Sequence, residues 1–450
     1  MRPNRRHFLA LAGAAATVAA TRVNAAPSSA AGVDASQFGV QAGSGGDQTR
    51  ALQKAIDQAA GSRTPLWLQP GTYRVGTLKL QAGTQLFGVR GATRLLFNDG
   101  SALLEGAGCD NVTLSGLILD GVSRPLPEGR GIINIAAARN LRILDCEVVG
   151  SSRQGIVLDG AEGEVRSNTI QGIANAGLLS VNARGLIIAD NIVRTCGNNG
   201  IQVWRSESGN DGTIVSGNRI DGIAARAGGS GQNGNAINVF RANNVYVGNN
   251  RITNVAFSAV RGNSASNLQV VANNCQSCGE VALYAEFGFE GAVISQNVVD
   301  GASIGVAVTN FDHGGRMATV QGNIIRNLSN RRPVGTDPND GAGIGIGVEA
   351  DSAVTGNVIE GAPLAGITIG WGRFLRDVSV TGNVIRRANM GIAVSVSAGA
   401  GAAVIADNLI AESTVGAIVG TELKRPVTGD MARDGAGRFA QLAITGNRVR

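Results

Sequence analysis

A short phrase, [Val/Ile]-x-x-Asn-x-[Ile/Val], recurs from the middle of the chain to its end and constrains the fold more than any other feature. Clear copies are Val215-Ser216-Gly217-Asn218-Arg219-Ile220, Val320-Gln321-Gly322-Asn323-Ile324-Ile325, Val354-Thr355-Gly356-Asn357-Val358-Ile359, Val380-Thr381-Gly382-Asn383-Val384-Ile385 and Ile444-Thr445-Gly446-Asn447-Arg448-Val449. Looser copies centre on Asn168, Asn191, Asn250, Asn273, Asn297 and Asn408. Neighbouring copies lie from 23 residues apart (Asn168 to Asn191) to 39 apart (Asn408 to Asn447). A short minimum repeat with sporadic extra residues marks a solenoid whose insertions fall in loops. The β-branched residues around each Asn stand in short alternating runs, which predict strands. Between two runs, an Asn suits a sharp bend, because it tolerates the left-handed region and bonds nearby backbone. One Asn at the same place in every coil predicts a hydrogen-bonded ladder along the stack.

A second phrase, Gly-Ile-x-Val, accompanies most coils. Examples are Gly155-Ile156-Val157-Leu158, Gly200-Ile201-Gln202-Val203, Gly305-Val306-Ala307-Val308, Gly366-Ile367-Thr368-Ile369 and Gly391-Ile392-Ala393-Val394. Two or three strands per coil, with no helical pattern between them, describe an all-β parallel β-helix. At about 4.8 Å per coil, about 13 coils make a rod roughly 60 Å long. The composition agrees: Gly fills 66 of 450 positions, charged residues are 16% and aromatics 4%. Many tight turns and a thin aliphatic interior follow, and without a glycine period of three a collagen helix is excluded.

Residues 1–25 read as an export signal. Arg5-Arg6-His7-Phe8-Leu9 sets paired arginines before an Ala-rich apolar run, Phe8 to Ala20, that is too short to span a bilayer. Val23-Asn24-Ala25 offers small residues for cleavage. The segment resembles a twin-arginine translocation signal, so the expected destination is the periplasm or the exterior. Its removal takes four arginines and no carboxylate, leaving 35 basic residues against 33 acidic from a chain whose formal charge is +6. That balance argues against a nucleic-acid partner, and no stable membrane insertion is expected once the signal is gone. Residues 26–46 form a linker and opening segment, and residues 47–450 form the solenoid. Asp47 is placed to cap a helix over Gln48–Ala60, where Ala51, Leu52, Ala55, Ile56 and Ala59 form an apolar stripe that would cover the open end of the first coil.

Phe38-Gly39-Val40, the run Asp47-Gln48-Thr49-Arg50-Ala51-Leu52-Gln53-Lys54-Ala55-Ile56-Asp57, Leu68-Gln69-Pro70-Gly71-Thr72-Tyr73 and Leu86-Phe87-Gly88 together resemble the opening segment of pectate-lyase-like right-handed β-helix proteins. With the paired arginines and the Gly-Asn repeats, the whole chain is similar to the TAT-translocated repetitive protein family. The resemblance implies a right-handed solenoid. It is shared by hydrolases, lyases, epimerases and phage tailspikes, so it implies no single chemistry. The polygalacturonase set of Asn-Thr-Asp, Asp-Asp, Gly-His-Gly and Arg-x-Lys is missing, with Asp312-His313-Gly314-Gly315 the nearest approach. The Asp-Pro-His phrase of alginate epimerases is missing as well.

Five cysteines, Cys109, Cys146, Cys196, Cys275 and Cys278, give no closed disulfide framework. Cys146 stands where a ladder Asn belongs and Cys275 in an inward slot, so both read as small core residues. Cys275-Gln276-Ser277-Cys278 has redox spacing without a thioredoxin-like context. Long insertions fall at 120–131, 221–235, 327–343 and 421–440. All but 120–131 are read as following the Asn-x-Ile strand, which would gather them on one side of the rod as walls of a groove. Asp337-Pro338-Asn339-Asp340-Gly341 is acidic but lacks calcium-loop spacing and reads as a turn. His313 also reads as a turn residue. No metal site and no cofactor are expected.

Alternation along the Gly-Ile-x-Val strands sets which side chains face outward. Gln202 and Trp204, Asn238 and Phe240, Arg261, then Tyr284 and Glu286 share the outer face of neighbouring coils. In a chain with 3 Trp, 3 Tyr and 11 Phe, this gathering of rings is notable. Trp204, Phe240, Gln202 and Asn238 are therefore candidate substrate-binding residues for a polysaccharide or glycan; the alternative is that the rings pack beneath the 221–235 insertion. Arg261, Tyr284 and Glu286 are the candidate catalytic residues. Arg261 would neutralise a uronate and Tyr284 act as acid in a lyase. Glu286 paired with Glu349 or Asp159 would serve a glycoside hydrolase. A non-catalytic envelope scaffold that kept the fold is the competing expectation.

Overall fold

The computed structural model describes residues 32–336 and 341–450. The export segment 1–25 and Asp337 to Asp340 lie outside the described residues.

Each turn carries up to three short strands, and like strands stack into three columns. Strands ahead of the ladder position form one 16-stranded parallel sheet. Those directly after it and the Gly-Ile-x-Val strands join in a second, 28-stranded sheet. The register is set by the repeat: Ile201 pairs with Ile237, Gln202 with Asn238 and Trp204 with Phe240, then Asn238 with Arg261, Arg261 with Tyr284 and Asn263 with Glu286. Inward positions of the third column, among them Ile201, Val203, Ile237, Val239, Leu283 and Ala285, are buried in one continuous aliphatic core. The first sheet has more levels than the Asn phrase announces. Its opening strands, Val33–Asp34, Leu66–Trp67 and Gln85–Phe87, precede the first ladder Asn.

The N-terminal helix α1 runs Thr49–Gly61, one residue later than the sequence suggests, and buries Leu52, Ala55, Ile56 and Ala59 against the first strands. Asp47 Oδ1 accepts from the Thr49 N–H at 2.9 Å, satisfying one first-turn donor.

The ladder Asn residues stack in a single column. Asn323, fully buried, accepts at Oδ1 from the N–H and Nδ2 of Asn297, both at 3.0 Å. Its own Nδ2 donates to the Ile294 carbonyl at 3.1 Å and to Asn357 Oδ1 at 2.9 Å. Equivalent side-chain bonds link the column from Asn168 to Asn447. The left-handed residue, however, is not the Asn itself but the one before it. Gly217 (φ 68°), Gly322 (φ 65°), Ala272 (φ 56°) and Gln296 (φ 58°) show the pattern. The bend must turn the following side chain inward to reach the backbone of the adjacent turn. A side chain in that left-handed position costs about 1–2 kcal/mol, which is why the five clear copies read Gly-Asn.

The insertions sort differently from the expectation. Residues 120–131 follow Leu117–Asp120, a strand of the second column, and share their corner with 221–235 and 327–343. The last insertion follows Gly416–Glu422, a third-column strand, and forms with Arg425–Asp430 an antiparallel hairpin. No ladder Asn precedes Leu117 to phase the sequence there. After Gly416-Ala417-Ile418-Val419 the chain runs into the hairpin where the repeat would have supplied another bend.

Candidate functional site

Three insertions emerge at the corner that leads into the third column, so the outer face of that column is the walled surface of the rod. Gln202 and Asn238 point outward but are buried. Asn238 Oδ1 accepts from Trp204 Nε1 at 3.0 Å and its Nδ2 donates to the Gly231 carbonyl of the 221–235 insertion at 3.0 Å. Trp204 and Phe240 are half-buried and meet edge-on, centroids 5.9 Å apart, with the Arg241 guanidinium 4.7 Å from the Phe240 centroid. The insertion therefore covers the polar members of this face and leaves the two rings partly open.

Arg261 and Glu286 are also buried. Both oxygens of Glu286 are engaged by Arg261, through Nε and Nη2, each at 2.8 Å. Arg261 Nη1 lies 3.3 Å from Glu280 Oε2 and donates to the Ser230 carbonyl at 2.6 Å. Glu280 in turn accepts from Arg332 Nη2 at 2.7 Å. Two arginines and two glutamates thus alternate under the surface, tying both the 221–235 and 327–343 insertions to the sheet. Burial works against the charge of Arg261, but the hydrogen bonds and charge of Glu286, with that of Glu280, hold its pKa above the ordinary arginine value. The Arg261 guanidinium stacks 4.8 Å from the centroid of Tyr284, fixing that ring from one side.

Tyr284 opens into a cavity of about 250 Å³, whose wall includes Thr309, Arg332, Glu349, Thr368 and Trp371. A narrower space of about 70 Å³ continues past Trp371 toward Leu423 and Lys424 of the C-terminal hairpin. Thr309 Oγ1 donates to the Tyr284 hydroxyl at 3.3 Å. Glu349, at the end of the strand Ile344–Val348, accepts at Oε2 from the Phe311 N–H at 3.0 Å. Asn310 locks this corner, donating to the Ala350 carbonyl at 3.0 Å and accepting from its N–H at 3.1 Å. Burial is the main cause that pushes the Glu349 carboxyl above the usual range. The backbone N–H groups of Phe311 and Asn310 pull it back, Asp312 adds to the rise and His313 opposes it.

Of the residues singled out in the sequence, Tyr284 reaches this cavity, Arg261 and Glu286 lie beneath it, and Trp204 and Phe240 stand several turns away. Asp159 and Glu286 are five levels apart by strand register. At about 4.8 Å per level they are too distant to flank one glycosidic bond. Trp371, Arg332 and Glu280 join the site without any signal in the sequence. Trp371 lies in the turn past Ile369, where strand parity no longer says which way a side chain points, and Arg332 sits in an insertion without period. All five cysteines are buried and free. Burial pushes Cys146, Cys196 and Cys278 up to about 12 and Cys275 well above its usual value, which removes the thiolates a redox pair needs. Among the described residues no group of three or more His, Cys, Asp or Glu is placed to hold a metal ion, and no helix is long and apolar enough to cross a membrane.

The fold is shared with solved structures. Pre-mature gene product 12 of bacteriophage phi29 superposes with a TM-score of 0.55 at 13% identity, covering 93% of this chain and 72% of that one. Its N-terminal fragment gives 0.56 at 17% identity, over 87% and 69%. The surface protein and adhesin PfbA of Streptococcus pneumoniae gives 0.43 at 14% identity, over 93% and 97%. At such identities the likeness to gene product 12 is one of fold alone. No curated protein matches the chain in sequence. The family model described as "Right handed beta helix region" matches residues 96–230 and 207–385, more than half of the chain. Together with the parallel three-column solenoid, that match makes this chain a member of the right-handed β-helix family.

Proposed function

We propose that this is an exported β-helix protein that binds a polysaccharide or glycan, with a sugar seated in the cavity between Tyr284 and Trp371. The carrying observation is the concave site itself. An indole, a phenol, two threonine hydroxyls and a carboxyl converge on one space on the walled face of a rod. Aromatic faces stack on sugar rings, and a few fixed polar groups bond hydroxyls. On this reading Arg261 and Glu286 act through Tyr284, whose ring they hold, and Trp204 and Phe240 offer a further stacking position along the same face. Trp371→Ala is expected to weaken binding to whichever of polygalacturonate, alginate, xylan or glucan the wild type binds by about tenfold, on the order of 1.4 kcal/mol. Affinity electrophoresis measures it; binding unchanged in the variant would place the sugar elsewhere.

The polysaccharide-processing reading, against that of a pure binding scaffold, is favoured by one observation: the half-buried acid Glu349 in the wall of the cavity. Export is proposed to follow the twin-arginine route, with membership of the TAT-translocated repetitive proteins. Changing Arg5 and Arg6 together to Lys is expected to leave the precursor in the cytoplasm in a fractionation assay. Normal export of the double variant would point to the general secretory route.

A further inference from the structure

We propose that Glu349 is a catalytic residue, donating the proton to the leaving oxygen when the glycosidic bond of the sugar seated between Tyr284 and Trp371 is hydrolysed. The proposal rests on the glycan reading and goes beyond it, since binding alone needs no acid.

The geometry has three parts. Glu349 lines the same cavity as the two rings that would hold the sugar. One of its oxygens accepts from the Phe311 N–H, and the adjoining peptide of Ala350 is clamped at both its N–H and its carbonyl by Asn310, which fixes the backbone that carries the acid. Of the other carboxylates on this face, Glu286 is taken up at both oxygens by Arg261, and Glu280 lies between Arg261 and Arg332. Glu349 makes no ion pair with an arginine among the described residues, and its carboxyl is held above the usual range chiefly by burial. An acid that holds its proton to higher pH than an ordinary carboxyl is what leaving-group protonation calls for. The charged and titratable groups around it are Asp312 and His313 on the turn after Asn310, Arg332 on the insertion and Tyr284 across the cavity.

The step balances with water as the co-reactant. The bond between the anomeric carbon and the glycosidic oxygen breaks, and its electron pair goes to that oxygen, which takes the Glu349 proton. Water bonds to the anomeric carbon and gives up its surplus proton to solvent, from which Glu349 regains the proton it donated. The products are two shorter sugars, one with a new reducing end.

The mature chain, Glu349→Gln and Glu349→Asp are to be compared on polygalacturonate, alginate, xylan and α- and β-linked glucans, with binding by affinity electrophoresis and turnover by reducing-end release. The wild type is expected to cleave a polymer it binds, with a rate that falls as pH rises through the elevated pKa of Glu349. Glu349→Gln, whose amide oxygen still accepts from Phe311, is expected to bind within about twofold and melt like the wild type while losing at least about 100-fold in turnover. Glu349→Asp, a shorter acid, is expected to keep part of the rate. Binding without any reducing-end release between about pH 4 and about pH 8, or full turnover in Glu349→Gln, would overturn the acid role and leave the glycan reading standing. Binding to none of the polymers would overturn both.

Discussion

Arg261→Ala is expected to lower stability by about 3–5 kcal/mol, because it strips the partner from buried carboxylates. Glu280 and Glu286 are 1% and 2% exposed. Glu286 would lose both bonds to the guanidinium, Glu280 would lose one of its two arginines, and the Ser230 carbonyl would lose its donor. The damage should extend to the site, since Tyr284 loses the cation stacked on its ring. The double change Arg261→Met with Glu286→Leu is expected to recover much of the loss, because removing both charges avoids the unpaired one. Urea denaturation of the three proteins decides the matter. An Arg261→Ala midpoint equal to that of the wild type would show that the network holds nothing together.

Asn323→Leu should be comparably severe, on the order of 4 kcal/mol. Leucine fits the volume but satisfies none of the groups the amide serves. The Asn297 N–H and the Ile294 carbonyl lose a partner inside a dry interior, at about 1–3 kcal/mol for each group left unsatisfied, partly relieved by relaxation; Asn297 Nδ2 keeps the Val270 carbonyl, and Asn357 Oδ1 keeps the backbone N–H of position 323. Because each turn contacts only its neighbours, the loss should be local. Limited proteolysis near residue 323, with the denaturation midpoint, reads it directly. A variant as resistant as the wild type would mean that the ladder is ornamental to stability.

These two substitutions separate what is legible in the chain from what is not. Asn323 stands out in the sequence itself, since its phrase repeats and only a stacked column gives such a repeat a purpose. One detail emerges only in the folded chain: the bend puts the preceding residue, not the Asn, in the left-handed region. Arg261 is the other case. Its outward parity is readable, but its burial is not, because two irregular insertions reach over the face to engage it.

The sequence by itself determined the solenoid, its short strands in every turn, the ladder, the terminal helix and the inward or outward sense of residues such as Val203 and Trp204. Apart from the helix, these features are local and repeated, so each turn restates them. Tertiary structure alone decided which outward residues meet. It brought Arg332 from an insertion onto Glu280, carried Trp371 around a turn to face the cavity of Tyr284, and clamped the peptide after Glu349 through Asn310, 40 residues before Ala350. The physical reason is that lateral neighbours in a β-helix come from successive turns and from the loops between them. Loops have no period, so where their side chains land depends on how they pack against the finished rod.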